Sequence, residues 1–231
     1  MSKKAKLLIV EDEQAILQGL LDVFVFHGYE VDSAIDGKVG LGKALTGEYD
    51  LILLDVMLPS LDGFSICNQV REQDLQQAII MLTAKSSEQD IIAGLTLGAD
   101  DYISKPFSVR ELVLRVESVL KRSLKRTEQV AILQIGDIRI DTINLQQLDT
   151  DTAQKFTRRE CEILQYLQQH NDRPVAREEL LEQVWGYRQA ENIETRTVDI
   201  HIAKLRRKIE PNPKQAQYLL TVRGEGYRLL S

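Results

Sequence analysis

The sequence predicts an α/β chain in two parts: a doubly wound, five-stranded parallel sheet, then a smaller α+β unit of three helices and a terminal hairpin. Three observations predict it. Short apolar runs alternate with amphipathic stretches of helical length across residues 7–121. Composition then shifts to a polar, basic stretch at 123–129, with no apolar periodicity. Beyond it, helical patterns give way to two apolar runs separated by Gly224-Glu225-Gly226. Alternating strand and helix signals favour a parallel sheet with helices on both faces, whereas short runs around a glycine turn favour an antiparallel hairpin.

In the first part, the apolar runs at 7–10, 29–34, 51–54, 79–83 and 101–104 are the strand candidates. The segments 14–26, 37–46, 62–71, 88–97 and 109–121 are the helix candidates. Leu51-Ile52-Leu53-Leu54 is apolar at every position, as a strand covered on both faces must be. In the second part, 138–141 and 145–148 read as short strands around a turn. Thr157, with Glu160 three positions on, forms a capping box opening a helix to Gln169. A second helix spans 177–184, followed by Trp185-Gly186, and a third spans 194–209 and stops before Pro211. The hairpin spans 218–223 and 227–230. The predicted domains are 1–122 and 130–231, joined by the linker 123–129.

Bulk composition excludes some classes. Hydrophobic residues are 43% and charged residues 28%, the balance of a water-soluble core-forming chain, and aromatics are only 6%, so aliphatic side chains must fill the core. No run approaches the ~18–20 apolar residues of a membrane helix. The apolar run 7–10 after the basic start is too short for a signal-peptide core. Cys67 and Cys161 lie far apart, without the spacing of a zinc site, and read as reduced buried thiols. A cytoplasmic protein with no membrane partner is expected. The net charge of −6 hides an asymmetry. Residues 1–122 carry 12 basic and 19 acidic residues, while 123–231 carry 17 and 16. Residues 196–208 hold five basic residues and one acid. Exposed charges are screened beyond about 8–10 Å, so this local excess, rather than the total, decides attraction to phosphates.

Ligands of open parallel sheets bind at the carboxyl ends of the strands. Glu11-Asp12-Glu13 follows the first strand, Asp55 the third, Thr83 the fourth and Lys105-Pro106 the fifth. Each alone has a plain structural reading: an acidic pair is often a helix cap, and Lys-Pro a turn. Together they bring carboxylates, a hydroxyl and an ammonium to one sheet edge. Two unit charges about 4 Å apart repel by roughly 1–4 kcal/mol between bulk-water and protein-surface dielectrics. A divalent cation relieves that repulsion, and an oxygen-only donor set suits Mg²⁺. Asp55 is then placed to act as a carboxylate nucleophile toward phosphorus, with Thr83 and Lys105 on the phosphoryl oxygens.

These segments carry a resemblance. Leu7-Leu8-Ile9-Val10-Glu11-Asp12-Glu13, Leu53-Leu54-Asp55-Val56-Met57-Leu58-Pro59, Met81-Leu82-Thr83-Ala84-Lys85 and Gly98-Ala99-Asp100-Asp101-Tyr102-Ile103-Ser104-Lys105-Pro106-Phe107 resemble the CheY-like receiver domain of two-component response regulators. The resemblance implies a flavodoxin-like fold with Asp55 as phosphoacceptor. It places Glu11, Asp12, Asp55 and the Met57 backbone carbonyl around Mg²⁺, and makes Thr83 and Tyr102 the switch pair. A haloacid-dehalogenase-type phosphatase uses similar groups, but its nucleophile stands in an Asp-x-Asp pattern after the first strand. Here Asp12 is followed by Glu13-Gln14.

On the third helix of the second part, Val198, Ile202, Leu205 and Ile209 recur at 100° per residue as a core stripe. The opposite side carries Arg196, Ile200, Ala203, Lys204 and Arg207, flanked by Thr197, Asp199, His201 and Arg206. An exposed Ile200 beside Ala203 suits thymine methyl contacts, and Lys and Arg suit guanine edges or phosphates. A charged helix face alone is usually solvated. The hairpin that follows, with Thr221, Arg223 and Tyr227, adds a wing to a groove-reading helix. Phe156-Thr157-Arg158-Arg159-Glu160, Val184-Trp185-Gly186, Arg196-Thr197-Val198-Asp199-Ile200-His201-Ile202 and Thr221-Val222-Arg223-Gly224-Glu225-Gly226-Tyr227 resemble the winged helix-turn-helix output domain of the OmpR/PhoB family. The resemblance adds Trp185 to the expected DNA contacts. Ala203 and Lys204 depart from the arginine pair common there, and Lys lacks the bidentate fork of Arg.

The resemblance also implies partners. They are a sensor histidine kinase, double-stranded promoter DNA, RNA polymerase, and a second copy of the chain after phosphorylation. The dimer face is expected on the fourth helix, fifth strand and fifth helix of the receiver. Its expected charge pairs are Asp101–Arg115 and Asp100–Arg122. Glu111 there faces Ile91 in place of a cation, so Ile91, Leu95 and Val113 are expected to supply an apolar patch. No enzymatic turnover is expected beyond Mg²⁺-dependent phosphorylation and dephosphorylation of the receiver itself.

Overall fold

The structure is a computed structural model and describes residues 4–83, 98–124, 132–148, 150, 154–186 and 196–230, with the side chains of 122–124 and 196 set aside. The chain divides into two compact units, Met1–Leu124 and Lys125–Ser231. The division falls inside the expected linker, because the last helix of the first unit runs on to Leu124.

The first unit contains β1 (Lys6–Val10), α1 (Gln14–Phe26), β2 (Glu30–Ala34), α2 (Gly37–Ala44), β3 (Leu51–Asp55), α3 (Gly63–Gln73), β4 (Ala78–Thr83), β5 (Asp101–Ser104) and α4 (Val109–Leu124). The helix expected over 88–97 lies outside the described residues, so helices are numbered without it. The sheet order is β2-β1-β3-β4-β5, with every neighbouring pair parallel. Alternate residues Leu7, Ile9, Leu51, Leu53, Ile80 and Leu82 cluster with Leu17, Leu20 and Phe24 of α1 and with Leu112, Val116 and Leu120 of α4. Leu8, Val10, Ile52 and Leu54 are equally buried. On their side α2 comes so close that a Cβ on Gly40 would stand 2.6 Å from a Val10 methyl. Each such aliphatic side chain stabilises the fold by roughly 1.5–3 kcal/mol when fully buried. Side-chain caps open α2 and α3: Asp36 accepts from the Lys38 amide at 2.8 Å, and Asp62 from the Ser65 amide at 2.9 Å.

A second fixed point is Arg71, buried near the end of α3. Its guanidinium donates to the Gly98 carbonyl at 2.9 Å and the Gln77 carbonyl at 2.5 Å, and pairs with Asp100 at 2.9 Å. Asp100 also accepts from the Ile79 amide at 2.9 Å. One side chain thus ties α3, the start of β4 and the approach to β5.

The second unit opens with a three-stranded antiparallel sheet, β6 (Ile132–Ile135), β7 (Ile138–Asp141) and β8 (Gln146–Gln147). The sequence patterns signalled β7 and β8 but not β6, a four-residue strand that follows the linker without a turn residue to announce it. Then come α5 (Arg158–Gln169), α6 (Arg177–Trp185), α7 (Arg196–Ile209) and the hairpin β9 (Leu219–Val222) and β10 (Gly226–Leu229). The expected stripe Val198, Ile202, Leu205 and Ile209 is buried. Gly226 has φ 124°, and a Cβ there would stand 2.0 Å from the Val175 carbonyl oxygen, so only glycine fits this approach. The capping box of α5 forms as read: the Glu160 amide donates to Thr157 Oγ1 at 3.3 Å and the Thr157 amide to Glu160 Oε2 at 2.8 Å. Thr157→Ala is expected to lower stability by about 1 kcal/mol, seen as an earlier midpoint in urea followed by Trp185 fluorescence.

Candidate functional site

At the carboxyl edge of the parallel sheet, strand order reverses between β1 and β3, and a crevice opens there. Glu11 and Asp12 follow β1, Asp55 ends β3, Thr83 ends β4, and Lys105 follows β5. One oxygen each from Glu11, Asp12 and Asp55 lies within 4.8 Å of the others. Lys105 Nζ donates to Asp55 Oδ2 at 2.7 Å and to Glu11 Oε1 at 2.9 Å, bridging two of the three. The backbone around Asp55 is held on several sides. The Met57 amide donates to Asp55 Oδ1 at 3.1 Å, the Val56 amide to the Leu82 carbonyl at 3.0 Å, and the Lys105 amide to the Thr83 carbonyl at 2.6 Å. The Lys105-Pro106 peptide is cis. Gly63, opening α3, presses on this strand end: a Cβ there would stand 2.1 Å from the Asp55 carbonyl oxygen.

Electrostatics match this crowding. Burial pushes the Glu11 carboxyl up to about 7, opposed by the Lys105 hydrogen bond and reinforced by the Asp55 charge. Burial alone would lower the Lys105 ammonium, but hydrogen bonds and charge from Asp55 and Glu11 outweigh it and raise it. With Glu11 drawn toward its neutral form, the Asp12 and Asp55 carboxylates still outnumber the one ammonium, and this oxygen-only set suits Mg²⁺. Glu11, Asp12 and Asp55 are the side chains that would hold it. Beside them an open cleft of about 550 Å³ is lined by Asp12, Met57, Leu58, Pro59, Asp62 and Phe64. Thr83 is fully buried and Tyr102, on β5, nearly so.

Residues 7–117 match the response regulator receiver domain family, and residues 151–229 match the family described as transcriptional regulatory protein, C terminal. The alkaline phosphatase synthesis transcriptional regulatory protein PhoP of Bacillus subtilis is 44% identical, over 97% of this chain and 96% of that one. The chain belongs to the OmpR/PhoB family of response regulators. The response regulator ArlR of Staphylococcus haemolyticus is 43% identical, over 96% of this chain and 97% of that one. Among solved structures, a RitR mutant superposes with a TM-score of 0.76 at 29% identity, over 98% of this chain and 99% of that one. DrrB of Thermotoga maritima, described as an OmpR/PhoB homolog, gives 0.51 at 29% identity, over 99% and 100%. The OmpR/PhoB architecture makes this chain a transcription regulator; its receiver implies a histidine kinase partner and its C-terminal domain implies DNA. No helix among the described residues is long and apolar enough to cross a membrane.

In the OmpR/PhoB output unit, the structure corrects several expected surface positions. Ile200, expected to face solvent, is only 7% exposed, and Trp185 and His201 are 0% exposed. Neither Trp185 nor His201 has surface to offer DNA. The reason is that α7 is packed on two sides. Its second stripe, Thr197, His201 and Lys204, is buried beside α5 and α6. His201 meets the Trp185 ring edge-on at 5.3 Å, and the Arg159 guanidinium covers that ring at 4.8 Å. Glu160, fully buried, draws Lys204 to 3.6 Å and Lys208 to 2.6 Å. Tyr227 is also buried, its hydroxyl donating to Asp199 at 2.5 Å. Arg206, half-buried, is turned to β9, donating to the Leu219 carbonyl at 2.7 Å and Thr221 Oγ1 at 2.7 Å. Ala203 and Arg207 on α7, with Thr221 and Arg223 on the hairpin, remain exposed. The Arg196 side chain lies outside the described residues.

On the expected dimer face, Asp100 and Asp101 are both paired within the chain. Asp100 pairs with Arg71, and the Arg122 side chain lies outside the described residues. Asp101 and Arg115 do pair, at 3.0 Å, but within one chain, and Arg115 also bonds Glu111. Val113 is in the core, at three and seven residues' spacing from Val116 and Leu120, and cannot supply an apolar patch. Ile91 and Leu95 lie outside the described residues.

Proposed function

We propose that the chain is the phosphorylation-controlled switch of a two-component pathway, and that the observation carrying this reading is the Glu11, Asp12, Asp55 and Lys105 cluster. An Asp55 oxygen attacks the phosphorus of a kinase phosphohistidine. The new C–O–P bond forms as the P–N bond breaks, and the imidazole leaves with the electron pair. Mg²⁺, when bound, offsets negative charge on the phosphoryl oxygens. Lys105, released from Asp55, pairs with one of those oxygens, and Thr83 donates to another. The chain is thus a phosphoacceptor rather than a turnover enzyme, and it works in the cytoplasm, where promoter DNA is found.

The added group carries about −1.5 to −2 charges. That charge is read out by Thr83 and Tyr102, which reset the face formed by β5 and α4. Two receivers then pair, and the second output unit binds promoter DNA at a raised effective concentration. Arg207 and Arg223 carry the phosphate and base contacts, and RNA polymerase is the downstream partner. Because Arg115 is already paired inside the chain, dimerisation must exchange or share that ion pair. Beryllofluoride with Mg²⁺ is expected to double the mass seen by light scattering and to raise affinity for duplex DNA by at least tenfold. Unchanged mass together with unchanged affinity would remove the basis for this reading.

A further inference from the structure

We infer that Arg206 and Glu210 are positioning residues that bolt the hairpin to α7, so that the helix and the wing grip DNA as one rigid piece. The inference rests on the DNA-binding reading of the output unit. Glu210 directly follows α7 and is buried. Its carboxylate accepts three consecutive backbone amides, Gln217 at 2.8 Å, Tyr218 at 3.0 Å and Leu219 at 2.7 Å. One helical turn earlier, Arg206 donates through Nε and Nη2 to the Leu219 carbonyl at 2.9 and 2.7 Å, and through Nη2 to Thr221 Oγ1 at 2.7 Å. One residue thus takes the N–H groups entering β9, and its neighbour four positions back takes the C=O. Because nearly all of these bonds go to backbone, they fix where the strand lies without dictating its side chains.

The second strand is fastened independently. Val175 and Tyr227 exchange backbone bonds at 2.7 and 2.9 Å. Asp199 of α7 accepts from the Tyr227 hydroxyl at 2.5 Å and from Arg177 at 2.7 Å. An isolated two-stranded hairpin is marginal in water. Anchored on both strands, this one holds Arg223 at a set distance from Arg207 before DNA arrives, and little ordering entropy remains to oppose the wing contact. Arg206 is thereby explained: a basic residue on the recognition helix is spent on geometry and not on phosphate.

The test is a double-mutant cycle on the full chain, using duplexes that the wild-type chain selects from a random-sequence pool. Arg223→Ala is expected to weaken wild-type binding about tenfold, the lower end of the worth of a charge-assisted contact. It is also expected to lower the slope of log affinity against log salt by about one. In Glu210→Ala, where the three amides entering β9 lose their acceptor and the wing is held by fewer bonds, Arg223→Ala should cost at least about twofold less than in the wild type. Hydroxyl-radical protection under the wing should weaken while that under α7 persists. Glu210→Gln, which keeps an acceptor oxygen, should restore part of the coupling. The same cycle on Arg206→Gln keeps the result decisive should Glu210→Ala not fold. Equal, additive effects of Arg223→Ala in all backgrounds overturn the inference. Failure of the wild-type chain to select any duplex would instead overturn the DNA-binding reading beneath it.

Discussion

Asp55→Asn is expected to abolish the hydroxylamine-labile adduct that the wild-type chain forms with acetyl phosphate and Mg²⁺. The amide has no lone pair nucleophilic enough to attack phosphorus at neutral pH, so the effect is loss and not reduction. The substitution should leave the fold intact for three reasons. Asparagine is nearly the same size. Its Oδ1 can still accept from the Met57 amide, now at 3.1 Å. Lys105 keeps its contact with Glu11 at 2.8 Å. Removing one of three crowded carboxylates also relieves repulsion, so the melting temperature should hold or rise. Mg²⁺ affinity should fall, because one of the three clustered oxygen ligands becomes neutral. Mass spectrometry of the intact chain is the measurement. Equal labelling of wild type and variant would move the acceptor away from Asp55 and leave the cluster without its assigned chemistry.

The site was legible because a parallel sheet places all its strand ends on one edge. Once five apolar runs are recognised, Glu11, Asp12, Asp55, Thr83 and Lys105 have nowhere else to converge, although 94 positions separate Glu11 from Lys105. The DNA-facing surface was less legible. Helical periodicity identifies one buried stripe on α7 from that helix alone. The second buried stripe depends on Glu160 and Trp185, which belong to other helices, and no pattern within 196–209 reports them. Charge is ambiguous in the same way. Arg206 and Arg207 are adjacent and chemically identical, yet one is spent on β9 and the other is exposed, because a single step of 100° separates them. The resemblance implies that Asp101 and Arg115 pair between chains. Their 3.0 Å contact inside one chain shows that opposite sign near an expected interface does not identify the partner.

Arg71→Met is expected to cost about 3–5 kcal/mol, the usual penalty for removing one member of a buried ion pair. Both side chains are nearly out of water, Arg71 at 6% and Asp100 at 8% exposure, so the surviving carboxylate cannot be rehydrated without moving the chain. The Ile79 amide still donates to it, but the Gln77 and Gly98 carbonyls lose their donor. Methionine fills the volume, so the loss reflects polar groups and not a cavity. The chain has two units, and one global unfolding curve would mix them. Hydrogen exchange separates them: protection in β4 and residues 98–104 should fall by that amount. The unfolding midpoint reported by Trp185, the chain's one tryptophan, should not move. Adding Asp100→Asn should recover part of the loss, since a neutral side chain is cheaper to leave unpaired than a charged one. Asp100 precedes Asp101 and Tyr102, so loosening this anchor should also broaden the conformations of β5, the strand that bears the proposed switch. A loss below about 1 kcal/mol would mean that Arg71 does not hold the approach to β5, and that the order of that strand comes from its pairing with β4 alone.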